Sequence, residues 1–349
     1  GMVMKRGCVI GYDINEKGCQ ISYYDDSMEE PDTMMASSNN YLIPLVLGYF
    51  KDRWVFGKEA KRLAVVGEDC TETDLYGKAK RREKVSLAGK TYDAVWLLAK
   101  YISLTLQDFE NIQYLTFTTP ETDVDMAKML KGIGQHIGVD KEIINVQDYK
   151  ESFCQYMIFQ PKELWQYESA LFYCDEDRIK AYMLRRLRVD ASHGMNSFVT
   201  VDEVANAQRK ELEALYPIMN KEKSPDESFK SMIENVFEKK VISSVYLTGE
   251  GFEKNWYPNS LRVLCNGRRA FMGNNLYSKG ACYKSIRKCE PNDDGPIYLD
   301  ETKLTERICL RMRVDGQEGW YPLVTWGTHW YEADGQWEVL LEDVSDIEI

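Results

Sequence analysis

Asp13 ends a short apolar run, 7–13 (GCVIGYD), and is followed at once by Asn15, Lys17 and Gly18. A carboxylate fixed at the end of a buried strand can hold a magnesium ion through the ion's own waters. A lysine at the turn can reach a phosphate, and a glycine lets backbone amides approach an anion. The same residues also make an ordinary turn, with Asp13 as its capping side chain and Lys17 solvated. A second turn holds three acids and a cation, Asp175-Glu176-Asp177-Arg178, at the tip of another apolar pair of segments. A third, Gly249-Glu250-Gly251, lies between a strand pattern and a helix pattern. Its glycines suit either a close backbone approach to a ligand or a tight turn. Glu151 opens a helical stretch, where the helix dipole favours an acid. Lys279 and Gly280 fall inside the last helical stretch and are compatible with a purely structural role.

Other chemistries are excluded by composition. Nine cysteines are an odd number without a CxxC pair, and most lie in apolar stretches, as buried free thiols do. The three histidines, His136, His193 and His329, are far apart, so no transition-metal spacing arises. A formal charge of −12 opposes general nucleic-acid binding. The basic run 78–84 (KAKRREK) reads as a solvated face. No apolar run reaches the roughly 18 residues that a membrane span needs, and the expectation is a cytoplasmic protein.

These candidates need strands and helices to position them. The pattern predicts a hairpin from 7–13 and 19–24, a strand pair at 44–50 and 53–57, and helices over 58–66, 92–109, 123–137 and 150–160. Strands at 112–118 and 142–146 alternate with these helices. A second hairpin pairs 169–174 with 179–187, and two helices are expected next, over 201–216 and over 225–240 with Ser224 as N-cap. A strand at 241–248 and helices at 258–265 and 275–287 follow. The alternation predicts an α/β fold of two similar lobes. From about residue 291 the period becomes two, with Gly316, Gly319, Gly327 and Gly335 as turns. That predicts a small all-β module joined by the linker 290–295.

The order of motifs resembles the actin and heat-shock-chaperone ATPase superfamily. GYDINEKGCQIS looks like its first phosphate hairpin and PLVLGYFKDRWVFGKEAK like the chaperone stretch with a Gly-x-x-Ala-Lys turn. LTFTTPE looks like its Thr-x-Pro strand end, and DYKESFCQYMIF like its first connecting helix. ESALFYCDEDRIKAYML stands where its second phosphate hairpin belongs, VYLTGEGF resembles the adenosine loop, and NNLYSKGACYKSI resembles the last helix of the core. The whole chain also resembles an uncharacterised bacterial family described as actin-like ATPase-related. The resemblance covers 7–288 and implies a two-lobed fold, with lobe I at 2–160, lobe II at 161–288 and the β module at 289–349. It further implies ATP or ADP with Mg²⁺ in a cleft. Asp13 and Asp175 would face the metal and act with Glu151, the residue that orients the attacking water, as the catalytic set. Asn15, Lys17, Gly18, Gly249, Glu250, Gly251 and Lys279 would hold the nucleotide.

The departures bear on function. The superfamily's Asp-x-Gly is Asp13-Ile14-Asn15 here, although Asn still tolerates a left-handed turn. The glycine-rich second hairpin is replaced by Asp175-Glu176-Asp177-Arg178, whose acids repel a triphosphate unless a cation compensates. Two functions are therefore expected: a slow, Mg-ATP-dependent conformational switch, or a nucleotide-independent scaffold with a degenerate site. A sugar or acetate kinase fits less well, because no acceptor-site base stands out. A protein partner is expected at the C-terminal module. Trp320, Trp326, Trp330 and Trp337, four of the chain's eight tryptophans, crowd together there beside an acidic stretch, 332–349, with seven Asp/Glu and no Lys/Arg.

Overall fold

The structure is a computed structural model. It describes residues 7–187, 197–208, 224–291 and 293–300, together with the backbone of 310–314, 317–321 and 346–348. The protein is α/β, and its contacts divide it into two compact units. The first comprises residues 1–156 and 274–293, and the second 157–273 and 294–349.

In the first unit β1 (Val9–Ile14) and β2 (Gly18–Tyr24) form the expected hairpin. β3 (Asp32–Thr33) and β4 (Ile43–Pro44) both pair antiparallel with β2. The next pair, β5 (Leu47–Phe50) and β6 (Arg53–Phe56), turns at Lys51 and Asp52, both at positive φ. α1 (Gly57–Val65) follows directly, and β7 (Thr71–Glu72) pairs with β5. α2 (Leu75–Lys80) and the hairpin β8 (Lys84–Leu87) with β9 (Lys90–Asp93) have no counterpart in the expected order. The basic run thus lies on α2 and the chain after it, where Lys78 pairs with Glu72 at 2.5 Å and Arg81 with Asp74 and Glu83.

α3 (Ala94–Thr105) leads to β10 (Tyr114–Thr119), α4 (Val124–His136) and β11 (Ile144–Asp148). α4 starts at Asp123, whose carboxylate accepts the Met126 amide. β10 lies parallel to β1, and β11 parallel to β10. α5 (Tyr149–Ile158) begins where β11 stops.

The second unit repeats this plan. β12 (Glu168–Cys174) and β13 (Arg178–Leu187) form the expected hairpin. β14 (Phe198–Gln208) pairs antiparallel with β13 across ten residue pairs. This overturns the helix expected over 201–216, of which 209–216 lie outside the described residues. The cause is a bulge. Ala181 faces Ala205 and Tyr182 faces Glu203, so Val204 is the extra residue. It breaks the period-two alternation and leaves Val201, Val204 and Ala205 at helical spacing. α6 (Pro225–Val236) has Ser224 as its N-cap, as expected. β15 (Ile242–Thr248) lies parallel to β12, α7 (Pro258–Leu264) follows, and β16 (Arg269–Met272) lies parallel to β15.

The two principal sheets therefore share one order and one set of directions: β3-β2-β1-β10-β11 and β14-β13-β12-β15-β16. Each opens with an antiparallel meander and continues with two parallel strands.

α8 (Leu276–Lys288) belongs to the first unit, although a linear cut at 288 assigns it to lobe II. Its small residues lie against β1. A Cβ on Gly11 would stand 2.2 Å from the Ser278 carbonyl oxygen, and one on Gly280 1.9 Å from that of Ser152 on α5. Buried hydroxyls complete the seam. Ser278 bonds Ser22 at 2.8 Å, Ser285 bonds Thr116 at 2.7 Å, and Ser285 donates to the Ile10 carbonyl.

β17 (Ile297–Tyr298) pairs with β14 and so extends the second unit's sheet, whereas its residues were expected in the β module. β18 (Leu310–Val314) pairs antiparallel with both β19 (Gln317–Tyr321) and β20 (Asp346–Glu348). Trp320 lies on β19, while Trp326, Trp330 and Trp337 lie outside the described residues.

Candidate functional site

Each principal sheet carries its candidate chemistry at the first hairpin. In the first unit, Asn15 folds the turn onto itself. Its amide donates to the Gly18 carbonyl at 3.0 Å, and its Oδ1 accepts the amides of Lys17 at 2.8 Å and Gly18 at 3.3 Å. In the second unit, Asp175 does the same. Its amide donates to the Arg178 carbonyl at 3.0 Å, and its Oδ1 accepts the amides of Asp177 and Arg178, each at 2.8 Å. Such Asx turns close a loop without glycine, because the side chain substitutes for a backbone acceptor.

The matching turns fix a residue correspondence. Asp13 stands two residues before Asn15, and Tyr173 two before Asp175. The strand registers agree, since Asp13 faces Thr118 on β10 and Tyr173 faces Thr248 on β15. Tyr173, not Asp175, is thus the second unit's counterpart of Asp13. Asp175 matches Asn15, and its Oδ2 accepts the Tyr173 hydroxyl at 2.9 Å.

Asp13 is buried on β1 and its Oδ1 accepts the Tyr149 hydroxyl at 2.5 Å. Burial pushes the Asp13 carboxyl up to about 7, and the Tyr149 hydrogen bond opposes that shift. The Tyr149 phenol is itself raised far above its ordinary value, first by burial and then by the neighbouring Asp13 charge. The Asn15 Nδ2 donates to the same phenol oxygen at 3.0 Å, and the Tyr277 ring of α8 stacks on Tyr149 at 3.8 Å. Tyr149 is therefore the hub of this cluster. Pattern reading missed it because its partners lie more than a hundred residues away in sequence and no local signal marks it.

Glu151 is fully buried in the first turn of α5, and its carboxylate pairs with Lys284 of α8 at 3.4 Å. Its amide donates to Asp148 at 2.9 Å. Lys17 is exposed at the hairpin tip, and Lys279 is half-buried on α8.

Gly249 and Gly251 pack against the end of β12. A Cβ on Gly249, at φ 103°, would stand 2.2 Å from the Cys174 carbonyl oxygen, and one on Gly251 2.4 Å from the Cys174 Sγ. Both glycines thus answer to the protein's own chain. The Gly251 carbonyl accepts the Trp256 indole N–H at 2.7 Å, and Glu250 is exposed.

The structure thus gathers Asp13, Asn15 and Tyr149 within the first unit, and Asp175, Gly249 and Gly251 around Cys174 within the second. Among the described residues no helix is long and apolar enough to cross a membrane.

Comparison with protein families assigns most of the chain. Residues 30–301 match the C-terminal part of a family of unknown function, DUF5716, and the chain belongs to that family. Residues 303–349 match a domain of unknown function, DUF8552. No curated protein matches the sequence.

Proposed function

We propose that this DUF5716 member keeps the two-lobed plan of the actin and heat-shock-chaperone ATPases but works as a nucleotide-independent interaction scaffold. The shared strand order of the two principal sheets, each led by a hairpin, supports the two-lobed reading. One observation favours the scaffold over the switch. In both hairpins the turn amides already donate to a side chain of the same turn, Asn15 or Asp175. A phosphate-binding loop needs such amides pointing at the anion, and here a phosphate would have to displace a carboxamide or carboxylate oxygen. Asp13 agrees with this reading. Its carboxyl is sealed under Tyr149 and titrates near neutrality, which weakens its hold on a hydrated Mg²⁺.

The work of the scaffold then falls to partner surfaces. The Trp320–Trp337 segment with its acidic neighbour is one of them in this reading, and a basic protein its partner.

A thermal-shift titration with Mg-ATP, Mg-ADP and Mg-GTP is the test. A ligand at 100 times its Kd stabilises by about 2.7 kcal/mol. The scaffold reading expects no shift with any of them. A saturable, magnesium-dependent shift would instead overturn the scaffold reading in favour of the switch.

A further inference from the structure

α1 is amphipathic in an unusual way. Its inner face, Ala60 with Leu63 and Ala64, packs on Val46 and Val55. A second face carries Lys58, Lys61, Arg62 and Val65, spaced i, i+3, i+4 and i+7. These four line a half-open surface cavity of about 760 Å³ together with Leu42, Ile43 and Pro44. Ala36, Ser37, Asn40, Phe56 and Val66 complete the lining.

The charge of this cavity runs against that of the molecule. In a chain of net charge −12, the cavity holds three cations and no acid. Among the described residues, none of the three makes an ion pair. The one acid of α1, Glu59, is engaged by Arg53 instead. Asn40 has its Oδ1 taken by the Leu42 amide, so its side chain presents N–H donors. Much of the remaining lining is apolar, and Val65 and Val66 are 79% and 72% exposed. These two valines add exposed apolar surface beside the three cations.

We propose that this cavity binds a small anionic amphiphile, a carboxylate or phosphate monoester head carried on an apolar body. Charge complementarity selects the occupant. Lys58, Lys61 and Arg62 meet the head, and Leu42, Ile43, Pro44 and Val65 cover the body. The volume falls in the range of roughly 300–1,000 Å³ typical of small-molecule sites, which are mostly apolar with a few convergent polar groups. The site lies wholly within the first unit and stands whether or not nucleotide binds.

Calorimetric titration of the full chain with dodecanoate and with dodecyl phosphate, both below micelle formation, tests it. Octyl glucoside serves as the neutral control, and a short Glu/Leu peptide tests the peptide alternative. The expected result is saturable 1:1 binding of at least one anionic amphiphile, and the head preferred separates a carboxylate from a phosphate source. Replacing Lys58, Lys61 and Arg62 together by Gln should weaken binding at least tenfold, and raising salt should weaken it in the wild type. Ala36→Trp adds a bulky ring to the exposed lining of the same cavity and should abolish binding independently of the charge variant. The proposal is overturned if neither amphiphile saturates, if octyl glucoside binds as well, or if Ala36→Trp leaves binding unchanged. Binding of the acidic peptide alone would also overturn it.

Discussion

The Tyr149 hydroxyl donates to Asp13 across 2.5 Å, and this bond joins the start of α5 to the end of β1. It meets a carboxyl that burial has moved to about 7, from an ordinary value of 3.8. Because the folded-state value is raised, folding takes up a proton between these limits. Stability from Asp13 is therefore complete below about pH 4 and is lost as pH rises through 7.

Asp13→Asn should remove that slope. Chemical denaturation at pH 5 and pH 8 should show the wild type losing stability between the two and the variant losing markedly less. Tyr149→Phe should raise the Asp13 value further, because its hydrogen bond holds the carboxyl down, and a carbon-detected NMR titration of Asp13 reads this directly.

Asp226 should behave with the opposite sign. Burial alone would raise its carboxyl, but the Ser260 hydroxyl and the amides of Ser260 and Asn259 outweigh burial and hold it below its ordinary value. Stability from this group is present above its unfolded value and is lost as pH falls through the lowered one. Asp226→Ala removes the carboxylate at the start of α7 and should cost about 1–2 kcal/mol at neutral pH. The cost should shrink in acid.

Gly280→Ala and Gly11→Ala should each destabilise by about 3 kcal/mol or more, because the methyl would meet backbone that cannot swing away. Gly132→Ala is the control, since a Cβ there meets nothing within 4 Å. Urea midpoints rank the three, and equal midpoints would refute the tight seam.

Asn15→Ala and Asp175→Ala should each cost about 1–2 kcal/mol through the lost turn hydrogen bonds. Asp175→Asn should cost less, because its Oδ1 still accepts both amides. Thermal melts of the three variants decide this.

Both hairpins were legible in the sequence, because apolar alternation interrupted by a polar turn is a local signal. So was the Ser224 cap, which needs only a serine before Pro225. What escaped depended on partners distant in the chain. β14 is held by β13, and the bulge at Val204 hid its alternation. The fit of α8 rests on Gly11 and Ser152, neither of which is marked in its own neighbourhood. The role expected of Asp175 rests on the resemblance of its segment to a phosphate hairpin, whereas the register that pairs Tyr173 with Thr248 makes Asp175 the match of Asn15.

The seam between β1 and α8 also fixes the order in which the protein can be completed during synthesis. Ser285 bonds the Ile10 carbonyl across 275 positions of sequence. The β1–β2 hairpin leaves the ribosome early, but the face that α8 covers stays open until translation has passed residue 288. At roughly 5–20 residues per second, that interval lasts tens of seconds. The first unit thus cannot close until α8 has been made, and its open sheet face is the surface a nascent-chain chaperone would meet.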